Sequence, residues 1–140
     1  MRDWGHAKDY VEIQWKILQH ETAEDFVIAT GRQISVRNFI ELAAKELGWG
    51  GIIWEGKGLN EVGKRADNKE IVIKIDKKYF RPCEVNSLIG DSTKANKKLG
   101  WQPKTTLEEL VADMINSDME IAKKESFLIK KGFNFTQPKE

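Results

Sequence analysis

The chain has 140 residues, the usual size of one domain, and its 40% hydrophobic and 32% charged residues exclude a disordered protein. Its 23 basic and 22 acidic residues leave a net charge of +1 and are interleaved along the chain, which argues against a broad nucleic-acid or membrane surface. The single cysteine excludes an internal disulfide framework, and no apolar run approaches the ~20 residues that span a bilayer, so we expect a cytoplasmic protein.

The first part of the chain predicts two helices around a buried strand. It opens directly on an Arg-Asp-Trp cluster, without a preceding strand, and reads as the middle of a longer fold. A helix is expected from about Ala7 to His20, with an apolar face wide enough to pack on two sides. Residues 25–30 form a short apolar run typical of strands buried on both faces. Ser35 is a good N-cap for a second helix that stops at Gly48.

The middle of the chain predicts two strands joined by a loop. Residues 52–54 form a short apolar strand. Residues 55–69 are polar and contain three glycines, which predicts a loop that folds over a ligand. Residues 70–75 alternate polar and apolar side chains, as a half-buried strand does. This second strand leads the chain to Arg81.

The last part predicts two helices and a tail. Ser92 is placed to cap a short helix that runs through Leu99 and closes at Gly100. The sequence Thr-Leu-Glu-Glu at 106–109 has the form of a capping box and opens a helix expected to reach about residue 131. Residues 132–140 are predicted to be a flexible tail, which leaves residues 1–131 as the folded domain.

The turn that contains Arg81 offers chemistry suited to a nucleotide diphosphate. Pro82 fixes its own φ and biases Arg81 toward an extended conformation, so Arg81 and Glu84 should leave a strand on a stiff turn. A guanidinium matches phosphate oxygens, and a carboxylate accepts hydrogen bonds from vicinal hydroxyls. The commoner alternative is an exposed ion pair. Arg2, beside Trp4, is a second candidate phosphate contact, against the commoner case of a surface arginine stacked on tryptophan.

Other chemistry is weakly represented in the sequence. It contains no G-x-G-x-x-G turn, and neither tyrosine is followed four residues later by lysine, so no dinucleotide site and no catalytic residue are predicted. The two histidines and the cysteine are isolated and lack metal-ligand spacing. In the loop, Lys57, Lys64 and Arg65 are interpreted as a solvated basic surface, which is commoner than an anion-binding site. Trp54 and Trp101 are interpreted as core residues in preference to platforms on which a base would stack.

Short motifs follow one another in a fixed order over nearly the whole chain. They are RDWGHAKDYV at 2–11, DFVIATG at 25–31, SVR at 35–37, WEG at 54–56, NEVG at 60–63, YFRPCEV at 79–85, GDSTKA at 90–95 and LGWQP at 99–103. In this order they resemble the C-terminal, substrate-binding part of GDP-mannose 4,6-dehydratase, an extended short-chain dehydrogenase/reductase. Each motif is weak alone, whereas their order is highly specific.

The resemblance implies an α/β fold: the small C-terminal domain of an extended short-chain dehydrogenase/reductase, without the N-terminal Rossmann core that binds NADP and holds the catalytic Thr, Glu, Tyr and Lys. Matched residue by residue, Arg2 and Arg81 correspond to arginines that contact the diphosphate, and Glu84 to the carboxylate that holds the ribose hydroxyls. Cys83 stands where relatives carry Thr or Ala, a small change that should not disturb the turn.

The same resemblance implies a lyase of GDP-fucose biosynthesis. The intact enzyme of this family oxidises C4 of the mannose of GDP-mannose, eliminates water across C5 and C6, and returns the hydride to C6. The product is GDP-4-keto-6-deoxymannose. Because the catalytic half has no counterpart here, we expect the isolated chain to bind GDP-mannose and to be catalytically inactive.

The assembly and two alternative functions remain open. In extended members of the superfamily the strand that matches residues 26–30 returns to the Rossmann sheet, so here it should be an exposed apolar edge. We therefore expect a homo-oligomer or association with a missing N-terminal half. The alternatives are a non-catalytic binding or interaction module and a fragment of another nucleotide-sugar epimerase or dehydratase.

Overall fold

The computed structural model describes residues 1–81 and 87–133, in which short strands alternate with four α-helices and two 3₁₀ helices. In chain order the elements are β1 (Arg2–Asp3), α1 (Ala7–Leu18), β2 (Gln33–Ile34), α2 (Val36–Glu46), β3 (Ile52–Glu55), a 3₁₀ helix (Gly58–Asn60), β4 (Val62–Arg65), β5 (Ile71–Lys74), a second 3₁₀ helix (Lys77–Tyr79), α3 (Thr93–Leu99) and α4 (Leu107–Lys130). The coarse prediction of a small α/β domain is confirmed.

The strands form two separate antiparallel sheets. β1 pairs with β2, so that Arg2 lies opposite Ile34. The second sheet has the order β3-β4-β5, with its middle strand interrupted by an irregularity at Gly63. A Cβ added to buried Gly63 would lie 2.9 Å from the Ile73 Cδ1 and 3.0 Å from the Ile52 Cγ2. The glycine therefore lets side chains of the two outer strands close over the middle strand.

The helix ends follow the predicted caps, with one exception. The Ser35 Oγ accepts from the backbone N–H at residue 38 (3.0 Å), and Thr106 and Glu109 form the predicted capping box. Ser92 makes no side-chain cap bond, and the Asp91 Oδ1 accepts from the backbone N–H of Thr93 (2.9 Å) instead. Ser92 has φ −90° and ψ 12°, away from the extended conformation that an N-cap serine normally adopts, so it occupies the predicted N-cap position but its hydroxyl does not cap the helix.

The main core lies between α1 and α3. Its buried centre is Ile13, Ala95 and Trp101. Around that centre pack the partly buried side chains Tyr10, Ile17, Phe26, Ile28 and Leu99. The Trp101 Nε1 donates to the main-chain oxygen of Asp9 (3.1 Å), which satisfies the only polar atom of the indole at the middle of this core.

The first helix packs on one side, where the sequence predicted two. Ile13 is fully buried, whereas Val11, Trp15 and Leu18 are 62%, 61% and 80% exposed. Positions 11, 15 and 18 lie on one face of the helix because they are spaced by four and three residues. The second apolar face of α1 therefore has no cover within the described part of the chain.

Residues 25–30 do not form the predicted strand. The apolar pattern is kept, since Phe26 and Ile28 face the core while Val27 is 54% exposed. A strand requires a neighbour that pairs with its backbone groups, and none of the described residues supplies a ladder to this stretch. Its carbonyl at Asp25 instead accepts from the Lys94 Nζ (2.8 Å).

The predicted loop at 55–69 is partly wrong, because residues 62–65 form β4, the middle strand of the second sheet. Its polar side chains are compensated locally. The Lys64 Nζ donates to the Glu55 Oε2 (2.6 Å), and the Arg65 guanidinium pairs with Asp67 (2.6 Å). Alternating apolar and polar residues are the usual sequence signal of a strand, and residues 62–65 lack that signal because glycine and paired charges take the place of the apolar residues.

The last helix ends close to residue 131, where the sequence predicted its end. α4 stops at Lys130, and Phe133 is 64% exposed. The predicted tail from residue 134 onward lies outside the described residues. Among the described helices, none is both long and apolar enough to cross a membrane.

Candidate functional site

Arg2 lies on a strand whose position is fixed by its neighbour Asp3. The Asp3 Oδ1 accepts from the backbone N–H (3.1 Å) and the hydroxyl (2.6 Å) of Thr30, and its Oδ2 accepts from the Gly31 N–H (2.9 Å). Gly31 has φ +72°, a conformation that favours glycine, so the turn can present its N–H to the carboxylate. Half-buried Arg2, whose Nη1 donates to the Met1 oxygen (2.9 Å), therefore projects from an anchored strand.

Arg81 lies two residues beyond the second 3₁₀ helix. The Asp76 Oδ1 caps that helix by accepting from the Lys78 N–H (2.8 Å). Phe80 is in an extended conformation (φ −70°, ψ 124°), and both Phe80 and Arg81 are exposed. An exposed guanidinium at the end of an extended stretch is accessible to a ligand. Glu84, the third predicted site residue, lies outside the described residues, so the structure does not test the three together.

The chain returns to the first sheet soon after Arg81. The Ser87 Oγ donates to the side-chain oxygen of Gln33 on β2 (2.7 Å). Ser87 lies six positions after Arg81, and an extended chain of that length spans at most about 22 Å, which limits the distance of Arg81 from the β1–β2 pair. Sequence reasoning missed Gln33 and Ser87. They carry no local signal, since they are ordinary polar residues 54 positions apart.

A separate groove lies between the first sheet and the segment that leads into α4. Its volume is about 540 Å³, and its apolar lining includes Trp4, Ile34 and Leu107. Neither Arg2 nor Arg81, the two described members of the predicted site, lines it. The groove is therefore distinct from the predicted diphosphate contacts.

Asp9 holds the segment before α4 against α1. Its buried carboxylate accepts from the backbone N–H groups of Lys104 (3.1 Å) and Thr105 (2.9 Å). Burial raises the pKa of this carboxyl, but the hydrogen bonds from Thr105 and Lys104 outweigh burial, so the pKa lies below its usual range. The carboxylate is charged at neutral pH, and its role is structural.

Buried His6 has a structural role as well. Its Nδ1 accepts from the Lys8 N–H (3.0 Å), so Nε2 is the nitrogen that carries a proton toward the Asp113 Oδ2 (3.1 Å). This hydrogen bond lowers the pKa of Asp113. Within residues 1–81 and 87–133, no cluster of three or more His, Cys, Asp or Glu side chains is arranged to hold a metal ion.

The basic loop residues and the tryptophans behave largely as interpreted. Lys64 and Arg65 are engaged in the ion pairs described above, and Lys57 is exposed, which fits a solvated surface. Trp101 is 1% exposed and is a core residue, as expected. Trp54 is half-buried and donates through Nε1 to Glu41 (2.6 Å). The guanidinium of Arg37 lies over its ring, 4.0 Å from the ring centre.

Comparison with known proteins gives one consistent family. The family model described as GDP-mannose 4,6 dehydratase matches residues 1–114. GDP-mannose 4,6 dehydratase 2 of Caenorhabditis elegans is 54% identical over 119 residues, which are 85% of this chain and 31% of that protein. GDP-mannose 4,6 dehydratase of Homo sapiens is 50% identical over 120 residues, which are 86% of this chain and 32% of that protein.

A bacterial relative extends the match toward the end of the chain. GDP-mannose 4,6-dehydratase of Yersinia enterocolitica is 46% identical over 144 aligned positions, which cover 96% of this chain and 38% of that protein. The chain thus spans about a third of the length of the curated relatives it matches. The family model covers residues 1–114, and the relatives carry the name of the same family. This chain therefore belongs to the GDP-mannose 4,6-dehydratase family.

Proposed function

We propose that this chain is the GDP-mannose-binding part of a GDP-mannose 4,6-dehydratase and that Arg2, Arg81 and Glu84 hold the nucleotide. The observation that carries the proposal is the match of residues 1–114 to the family at about half identity to its members. The anchored strand under Arg2 and the exposed guanidinium of Arg81 are consistent with it.

The proposed contacts divide the nucleotide between two kinds of group. The two guanidiniums bind the diphosphate oxygens through pairs of charge-assisted hydrogen bonds, which are about twice as strong as neutral ones. The Glu84 carboxylate accepts hydrogen bonds from the two ribose hydroxyls, which a phosphate-binding site alone would not recognise. The arrangement selects a nucleoside diphosphate over a free sugar.

The proposed enzyme converts GDP-mannose to GDP-4-keto-6-deoxymannose, with NADP as the hydride carrier. The described residues contain no glycine-rich turn between a strand and a helix, so they do not fit the pyrophosphate of a dinucleotide. NADP binding is therefore not assigned to this chain. The proposed role of its residues is to bind and orient the GDP-sugar for chemistry performed elsewhere.

We also propose that the uncovered face of α1 and residues 25–30 contact another polypeptide. Val11, Trp15 and Leu18 expose an apolar stripe, and residues 25–30 form no strand ladder with any described residue. Apolar surface and free strand edges favour association. The proposed partner is a second copy of the chain or an N-terminal half of the kind that the family resemblance implies.

A calorimetric titration of GDP-mannose into the chain tests the site. We expect saturable binding, its loss in Arg81→Ala, and partial retention in Arg81→Lys, since lysine keeps the charge but not the bidentate geometry. Lys57→Ala is the matched control, because it removes one exposed positive charge from the loop and should leave affinity within about twofold.

Two results would contradict the proposed function in different ways. If UDP-glucose competed as well as GDP-mannose binds, a different nucleotide-sugar enzyme would be favoured, because the site would then not discriminate between the two bases and sugars. A folded wild-type chain that binds no GDP-mannose, alone or with a separately expressed N-terminal half, would favour the interaction module. The exposed face of α1 is the observation that keeps that second function open.

A further inference from the structure

Asp3, the residue that follows Arg2, binds a turn that lies far away in the sequence. Its Oδ1 accepts from the Thr30 backbone N–H (3.1 Å) and hydroxyl (2.6 Å), and its Oδ2 accepts from the Gly31 N–H (2.9 Å). Hydrogen bonds to a carboxylate are stronger than those between neutral groups. Three such bonds therefore tie the backbone next to Arg2 to this turn.

The same turn leads directly into the strand that pairs with Arg2. The Thr30 hydroxyl that donates to Asp3 also accepts from the Arg32 N–H (3.2 Å), which closes the turn. β2 begins one residue later, and its Ile34 lies opposite Arg2. Arg2 is thus held from two directions, by the strand pair and by the side chain of the residue that follows it.

The residue on the other side of Asp3 is held in place as well. The Trp4 ring stacks on Phe39 of α2, with the ring centroids 4.3 Å apart, and its Nε1 donates to the Ile34 oxygen (3.5 Å). β1 itself is only two residues long, and a strand pair of that length defines its own direction poorly. The contacts of Asp3 and Trp4 therefore fix the backbone from which the half-buried Arg2 side chain leaves.

We propose that Asp3 and Thr30 are positioning residues for Arg2: their hydrogen bonds hold its backbone in the direction from which the guanidinium meets the diphosphate of GDP. The inference rests on the proposed function. A bidentate contact with phosphate depends on a fixed geometry, so an arginine on an ordered backbone loses less freedom when it binds. Without these hydrogen bonds, binding must itself order the strand, and the affinity for GDP falls by that cost.

The first test is the affinity for GDP, measured by calorimetry on the whole chain, for Thr30→Val and Thr30→Ser. Valine has nearly the shape of threonine but no hydroxyl to donate to Asp3, whereas serine keeps the hydroxyl. We expect Thr30→Val to weaken GDP binding about fivefold, the cost of ordering one flexible side chain on binding. Thr30→Ser should bind GDP as the wild type does. Equal affinities of the two variants for GDP would overturn the inference.

A matched control separates positioning from general stability. Thr106→Val is the same substitution at the cap of α4, where the hydroxyl also donates to a carboxylate (2.9 Å) and accepts from a backbone N–H (3.2 Å). Both valine variants should lower the free energy of unfolding in urea, but only Thr30→Val should weaken GDP binding. An equal loss of GDP affinity in Thr106→Val would assign the effect to stability and overturn the inference.

A double-mutant cycle shows whether the effect passes through Arg2. In the Arg2→Ala background, Thr30→Val should cause no further loss of GDP affinity, because no guanidinium remains to be positioned. Additive losses would overturn the inference, and so would unchanged affinity in Thr30→Val beside a clear loss in Arg2→Ala, while the proposed function would stand. Absence of GDP binding by the wild-type chain would overturn both.

Discussion

The two faces of α1 differ in how far this chain covers them. One face buries Ile13 against Trp101, and its Asp9 carboxylate receives two backbone N–H groups from the segment before α4. The other face leaves Trp15 and Leu18 more than half exposed. The contrast shows that one face of this helix is stabilised inside the chain, whereas the other face is left exposed and available to the partner proposed above.

The largest expected effect lies on the covered face. Trp101→Ala removes a fully buried indole and its hydrogen bond to Asp9, and should lower the free energy of unfolding by about 3–5 kcal/mol. Urea denaturation followed by circular dichroism measures the change. Trp15→Ala is the matched control on the uncovered face and should change stability by less than about 0.5 kcal/mol in the monomer. Equal losses would contradict the contrast between the faces.

A smaller effect is expected when the anchor at Asp9 is changed. Asp9→Asn should destabilise the fold by about 1–2 kcal/mol at neutral pH, because the charge-assisted hydrogen bonds become neutral. The pKa of Asp9 is lowered in the folded state, so its stabilisation is present above the unfolded pKa near 3.8 and is lost as pH falls through the lower folded pKa.

The measurement for Asp9 is the free energy of unfolding from pH 6 to pH 2. The wild type should lose stability over the acid end of this range more steeply than Asp9→Asn does. Asp113→Asn, a change at an exposed carboxylate, serves for comparison, since that pKa is also lowered, by the hydrogen bond from His6. A pH profile of Asp9→Asn that parallels the wild type would show that Asp9 does not act through its charge.

The smallest effect on stability and the clearest effect on assembly are expected at the uncovered face. Trp15→Lys should leave monomer stability nearly unchanged and abolish concentration-dependent self-association, because a charge in the apolar stripe opposes burial. Sedimentation velocity over a roughly hundredfold range of protein concentration measures this self-association. Gln14→Lys adds the same charge at an exposed neighbouring position and should not alter association. Equal behaviour of the two variants would exclude this face as a contact.

Local sequence signals predicted most helices well because each signal acts within a few residues. Ser35 and the Thr106–Glu109 box cap α2 and α4 as expected, and Gly100 closes α3 with φ +60°. At Ser92 the neighbouring Asp91 carboxylate accepts the first backbone N–H of the helix in place of the serine hydroxyl, and the sequence offered both side chains. Strand prediction failed at residues 25–30 and 62–65, because pairing depends on whether a distant segment lies alongside.

The site divides in the same way. Arg2, Arg81 and Glu84 were predicted from residue chemistry and from resemblance to the family, and their roles stay predictions. The hydrogen bond between Gln33 and Ser87 had no signal in the sequence, because the two residues lie 54 positions apart in the chain while their side-chain oxygens lie 2.7 Å apart.

The sequence by itself determined the helix boundaries, the burial of Trp101 and the family, because caps, apolar spacing and ordered motifs are written in neighbouring residues. Only the tertiary structure decided that β4 lies at the centre of a sheet, that α1 keeps one face uncovered and that Gln33 contacts Ser87. The physical reason is that these features depend on which distant segments meet, and on the surface that remains when no segment does.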